Sequence, residues 1–200
     1  MFLELFGVLF GFVYLYLEIK QKKGMWAVGL VMAVVYSVVY WKQEVYASMA
    51  FQIYYVLVSI YGFLMWGKDK IIGKDIVVGK NDETEQAYYK ILYRKLTNKV
   101  ALWSILVYCV ATAFMVGVLG KYTGDPMPFA DSSVTVLSAI ATFWLSKSYR
   151  EQWLVWLLVN GVTVIMTFNL KLYPTSVLYA VNAAASVYGY FHWKRNGKEI

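Results

Sequence analysis

The sequence predicts an all-α membrane protein of seven transmembrane helices, and three observations predict it. Hydrophobic residues make up 60% of the 200-residue chain and charged residues only 16%, against roughly 45–50% and about 25% in soluble domains. Seven apolar stretches run at 2–19, 25–41, 45–67, 100–120, 126–146, 152–170 and 172–193. Each is close to the ~20 residues that a helix needs to cross a bilayer core of about 30 Å. Their only formal charges are Glu4, Glu18 and Asp131, and none shows the period-two alternation of a membrane β-strand.

Taken in order, the first span is followed rather than preceded by lysines (Lys20, Lys22, Lys23), which argues against a cleavable signal peptide. The second has 17 residues, bounded by Lys23 and Lys42, whose long side chains can reach the interface. The third closes a first three-helix unit, 1–67. A link over 68–99 comes next. It opens on GKDKIIGKDIVVGK, expected to be flexible. It goes on as NDETEQAYYKILYRKLTNK, in which Tyr89, Leu92, Tyr93 and Leu96 are at helical spacing. That pattern predicts an amphipathic helix on the membrane surface. A single linker span follows at 100–120, then a second three-helix unit at 126–193 and a short tail at 194–200.

The basic residues fix an expected orientation. Counted on alternate sides of the spans, 16 of the 19 lysines and arginines fall on one side and three (Lys42, Lys121, Lys171) on the other. The positive-inside rule then puts the N-terminus outside and the link and C-terminus in the cytoplasm. These residues lie between apolar runs, so the net charge of +7 reflects topology and implies no nucleic-acid partner. The single cysteine, Cys109, excludes an internal disulfide framework and a cysteine-rich metal site.

The chain repeats itself at an offset of 127 residues. Trp26 falls on Trp153 and Tyr46 on Tyr173, and S-x-Y-G-x-x-x-W occurs as Ser59, Tyr61, Gly62, Trp66 and as Ser186, Tyr188, Gly189, Trp193. Nine of 41 positions are identical between 26–66 and 153–193. Corresponding spans enter from the same side, with the fourth as the odd helix between them. This is the 3+1+3 parallel repeat of SWEET-like sugar transporters, an architecture suited to alternating access. The glycines of the pattern permit close helix approach. Trp26, Trp66 and Trp193, near span ends, are expected in the interfacial aromatic belt.

Polar side chains inside a span are costly unless they meet a cavity or a partner. Four helices keep such residues on one face: Gln52, Tyr55 and Ser59 in the third; Asp131, Thr135 and Ser138 in the fifth; Trp153, Trp156 and Asn160 in the sixth; Tyr179, Asn182 and Ser186 in the seventh. If these faces converge, they form a cavity of amides, hydroxyls and aromatic rings. Its ligand would be a small, flat, hydroxyl-bearing molecule, neutral or cationic, because ring faces attract cations. No basic residue lies in any span to hold a phosphate. Asp131 has three readings: coupling a proton, binding a cationic substrate, or serving the helix N-terminus that follows Pro128. No Gly-rich phosphate loop, nucleotide motif or Ser/His/Asp set is present, so no catalysis and no cofactor are expected.

Three segments, Tyr46–Trp66, Asp131–Asn160 and Leu172–Trp193, resemble the PnuC family of bacterial vitamin transporters. The family pattern maps onto Gln52, Tyr61, Gly62, Trp66, Asp131, Trp153, Trp156 and Asn160. The resemblance implies uptake of a vitamin or precursor across the bacterial inner membrane by facilitated diffusion, with trapping by a cytoplasmic kinase. It further implies nicotinamide riboside as substrate and a homotrimer as assembly. Two departures bring thiamine, carried by relatives, into consideration. Glu151-Gln152-Trp153 stands where many nicotinamide riboside carriers have Glu-Asn-Trp, and residues 25–32 lack the Pro and Asn often seen there. A more distant alternative is a membrane scaffold or sensor acting through residues 67–99.

Overall fold

A computed structural model describes residues 2–42, 46–78, 91–122 and 126–200. Seven helices occur in these residues: α1 (Phe2–Ile19), α2 (Gly24–Lys42), α3 (Tyr46–Val78), α4 (Asn98–Tyr122), α5 (Pro128–Ser146), α6 (Gln152–Asn169) and α7 (Tyr173–Asn196). Two short strands, β1 (Ile91–Tyr93) and β2 (Gly197–Glu199), pair in parallel. By length and composition, α4, α5 and α6 can each cross a membrane. Shorter apolar runs occupy Leu9–Ile19, Gly24–Val38 and Phe51–Gly67. The protein is a multi-pass membrane protein. Its chain divides into two compact units: one of residues 1–93, 146–148 and 195–200, the other of residues 94–145 and 149–194.

In the first unit, α2 and α3 are joined through an indole lying on a glycine. A Cβ added at Gly62 would collide with the six-membered ring of Trp26. Trp66, one turn on, meets Trp26 edge-on at 5.3 Å between ring centroids and 77° between planes. Gly29 on α2 faces Tyr14 of α1 and Ser59 of α3, with a Cβ there falling 3.1 and 3.4 Å from them. The second unit repeats the motif on α6 and α7. A Cβ at Gly189 would sit 2.7 Å from the Trp153 ring, and Trp153 meets Trp193 edge-on at 5.7 Å and 87°. Between helices in lipid, association rests on close van der Waals contact, which small residues permit. The four indoles are 1%, 2%, 1% and 0% exposed for Trp26, Trp66, Trp153 and Trp193. The expectation of an interfacial belt for Trp26, Trp66 and Trp193 is therefore corrected: they fill the helix packing.

The turns recur at the same offset as the sequence. After α1, Lys22 N–H donates to the Leu17 carbonyl (2.8 Å); after α5, Tyr149 N–H donates to the Trp144 carbonyl (3.0 Å). Met25 N–H to Lys22 and Trp26 N–H to Lys23 are matched by Gln152 N–H to Tyr149 and Trp153 N–H to Arg150. Gln21 (φ 46°) and Ser148 (φ 60°) take the left-handed conformation at equivalent positions. Each is the residue at which a helix ends and its last carbonyls find donors from the next turn. Lys171 (φ 59°) closes α6 in the same way, with Leu172 N–H donating to Thr167.

The link and tail depart from expectation. Residues 67–78, expected to be flexible, continue α3. The first part of the expected amphipathic helix, residues 81–90, lies outside the described residues, but Leu92 and Tyr93 belong to a strand rather than a helix. The strand wins because its partners are distant in sequence. Its residues pair with Gly197–Glu199, and the Gln21 side chain serves both backbone groups of Leu92. Gln21 Nε2 donates to the Leu92 carbonyl (2.6 Å), and Leu92 N–H donates to Gln21 Oε1 (2.7 Å). All three strand residues are buried, so Leu92 and Tyr93 are not presented to a membrane surface. The tail is not free either: α7 continues to Asn196 and the chain ends in β2, with Ile200 N–H on the Tyr93 carbonyl.

Three substitutions test this packing, each read by thermal unfolding in detergent. Gly189→Ala forces a methyl into the Trp153 ring and should lower stability by about 1–3 kcal/mol, the usual cost of overpacking. Gly161→Ala, where nothing lies within 4 Å of the added carbon, should leave it unchanged or raise it. Gln21→Gly suits the left-handed backbone yet should still lose about 1–3 kcal/mol, because the buried backbone of Leu92 loses its partner.

Candidate functional site

The residues expected to contact a ligand lie on four helices, and the local packing of each helix sets what its residues can do. On α6 the inward face reads Gln152, Trp156, Asn160, Thr163 and Thr167. Thr163 and Thr167 are turned back on their own helix, donating to the carbonyls of Val159 (2.8 Å) and Thr163 (2.7 Å). Thr167 also bonds Ser176 of α7 at 2.8 Å. These hydroxyls tie helix to helix and leave little for a ligand.

Asn160 is different. Its Nδ2 donates to Ser186 Oγ at 3.4 Å, and Ser186 Oγ donates to the Asn182 carbonyl at 2.8 Å. The structure thus brings together the side chains of Asn160 and Ser186 across α6 and α7, both buried, with Ser186 in turn bonded to the backbone of its own helix at Asn182. A 3.4 Å amide contact is long for a hydrogen bond, so the Asn160 amide is the member most readily given to an incoming hydroxyl. One turn before it, Trp156 has a buried Nε1–H with no acceptor. Trp153, expected beside it on a substrate ring, instead lays its ring against Gly189 and Trp193. Tyr179, one turn before Asn182 on α7, is half-buried.

On α3, Gln52 and Tyr55 are half-buried and Ser59 is buried, all on one face. Tyr55 stands edge-on to Phe51 (5.4 Å, 72°) and Tyr54 (5.6 Å, 64°), so an aromatic cluster surrounds the first turn above Gln52. On α5, Asp131 is exposed in the first helical turn, where a carboxylate is favoured by the helix dipole. Thr135 is half-buried one turn on, and Ser138 donates to the Val134 carbonyl of its own helix (2.7 Å). Ser133 is tied to α4 by the Tyr108 hydroxyl (3.1 Å), and Trp144 to Ser104 (3.0 Å).

Two polar residues matter structurally that hydropathy did not single out. Gln21 holds β1. Gln152 is wholly buried at the start of α6, and neither its Oε1 nor its Nε2 has a partner. Comparing the two repeats could have flagged Gln152, since the equivalent position in the first is Met25.

The comparisons with known proteins point to one family, described by the mononucleotide in its model and by the riboside in its relatives. A family model described as "Nicotinamide mononucleotide transporter" matches residues 1–195. The nicotinamide riboside transporter PnuC of Escherichia coli (strain K12) is 21% identical, over 98% of this chain and 87% of its own length. That of Neisseria mucosa is 28% identical, over 88% of this chain and 65% of its own length. A solved structure titled "Crystal structure of the Vitamin B3 transporter PnuC" superposes with a TM-score of 0.64 at 25% identity, covering 93% of this chain and 77% of that one. With nearly its whole length matched, the chain belongs to the nicotinamide mononucleotide transporter family.

Proposed function

We propose that this protein carries nicotinamide riboside into the bacterial cell across the inner membrane. The observation that carries the reading is chemical. The spans hold carboxamides, hydroxyls and indole rings but no basic residue. A phosphate buried among them would lose its hydration with no cation to replace it, at a cost of several kcal/mol. The unphosphorylated riboside has a flat cationic ring, a carboxamide and sugar hydroxyls, each with a counterpart among these residues. The relatives' names, which specify the riboside, support the same choice over the mononucleotide.

In this reading Trp156 and Tyr55 supply ring contacts, while Gln52, Asn160, Tyr179 and Asn182 supply hydrogen bonds; Trp153, packed on Gly189 and Trp193, holds α6 against α7. Ser59, Thr135 and Asp131 complete the set. The two three-helix units act as a 3+1+3 parallel repeat of the SWEET type, with the N-terminus outside and the link and C-terminus in the cytoplasm. The family resemblance implies movement by facilitated diffusion, and the sequence carries no nucleotide-binding motif for drive by ATP. Net uptake then depends on a cytoplasmic kinase that adds the phosphate the carrier will not pass. The homotrimer implied by the family resemblance is the proposed assembly.

Thiamine is the second reading. It is favoured by Gln152 where many nicotinamide riboside carriers have Asn, and by the absence of Pro and Asn from residues 25–32. Expression in a strain without its own uptake routes, with each labelled vitamin offered separately, separates the two. Nicotinamide riboside should accumulate; accumulation of thiamine alone would replace the first reading with the second. In the same cells Asn160→Ala should reduce nicotinamide riboside uptake about tenfold at equal membrane abundance, as expected for the loss of one buried hydrogen bond. Uptake at the unaltered rate would remove Asn160 from the path.

A further inference from the structure

The two units share a skeleton but differ along one line. On α2, residues Met25, Gly29 and Ala33 follow one another at four-residue spacing along one face, as do Gln152, Trp156 and Asn160 on α6. The offset of 127 places the first three on the second three, one for one. Thioether, hydrogen and methyl in one repeat have become carboxamide, indole and carboxamide in the other. Most other positions differ as well, but the frame that sets this line is shared: the tryptophan on its glycine and the turn hydrogen bonds are the same in both.

Gln152 is the most costly of these exchanges. It is 0% exposed, and its Oε1 and Nε2 both lack partners. An unpaired buried donor or acceptor costs about 1–3 kcal/mol. The fold does not require this, because the equivalent Met25 fills the same position, also 0% exposed, with an apolar chain of similar length. A polar group retained at a cost where an apolar one suffices points to a partner that is not part of the chain. A carboxamide has one acceptor oxygen and an NH₂ donor side by side. Another carboxamide is a complement that returns both bonds.

We infer that Gln152 is a specificity-determining residue that recognises the carboxamide on the substrate's pyridinium ring, with Trp156 and Asn160 along the same face taking the ring and the sugar. The inference rests on the nicotinamide riboside reading and adds the residue that reads the ring substituent. A pair of amide hydrogen bonds discriminates strongly against a ligand lacking the amide, since the site's own polar atoms are then left unpaired.

The test compares uptake of labelled nicotinamide riboside with that of the unsubstituted N-ribosylpyridinium, which lacks only the carboxamide, by wild type, Gln152→Met and Gln152→Glu. The Met variant installs the side chain of the equivalent position, and the Glu variant keeps the shape but removes the N–H donor. Both should raise KM for nicotinamide riboside about tenfold with little change in maximal rate. KM for the unsubstituted riboside should stay as in wild type or fall. The melting temperature of Gln152→Met in detergent should equal or exceed that of wild type. An equal change for the two ribosides, no change for either, or a lower melting temperature with both rates reduced would overturn the inference and make Gln152 a packing residue. Failure of the wild type itself to take up nicotinamide riboside would overturn the transport reading, and this inference with it.

Discussion

An indole lying on a glycine is the contact on which this structure depends. Water drives apolar surfaces together in soluble proteins, but helices in lipid have no such push, because a lipid tail solvates leucine as well as a neighbouring helix does. What remains is dispersion, which falls off steeply once surfaces separate. Gly62 and Gly189 remove the one atom that would hold an indole away, and Trp26 and Trp153 fill the space. Edge-to-face contacts to Trp66 and Trp193 then add about 0.5–1.5 kcal/mol each. Because the tryptophan opens α2 or α6 and the glycine sits in the middle of α3 or in the second half of α7, one contact sets both the distance and the register of each helix pair. The turns before α2 and α6 are folded alike for the same reason: each delivers a tryptophan to its glycine.

That shared scaffold frees the remaining positions to differ. In the first unit, the line Met25, Gly29, Ala33 is given to packing, and Gly29 lets α1 and α3 approach α2. In the second unit the equivalent line carries two carboxamides and an indole. The helix pair α6 and α7 therefore does two jobs. Its glycine seat and its threonine hydroxyls hold the helices together, and Asn160 and Ser186 leave a loosely bonded polar pair between them.

Seven helices were legible because hydropathy reports directly on the solvent that each helix meets. The repeat was legible because the glycine seat demands the same residues at the same spacing twice. The depth of the tryptophans was not, since Trp26, Trp66 and Trp193 stand near span ends where a belt residue and a helix-packing residue have the same sequence context. Leu92 and Tyr93 misled for another reason. Their spacing with Tyr89 and Leu96 is helical, but a glutamine 71 residues away supplies both hydrogen bonds that a strand requires. Such a partner leaves no local trace. Of the expected ligand residues, Asn160 bonds the Ser186 hydroxyl of α7. Trp153 turned out to serve its glycine, and Asp131 stands exposed in the first turn of α5. Polar periodicity marked the right faces without separating side chains that hold helices from those left available.

The most direct measurement is flux through the purified protein alone. Reconstituted into liposomes with labelled nicotinamide riboside on one side, and with no ion gradient, nucleotide or kinase, it should equilibrate the riboside across the membrane saturably, while the mononucleotide stays behind. Flux that requires an imposed gradient, or that passes the phosphorylated form equally well, would contradict the account.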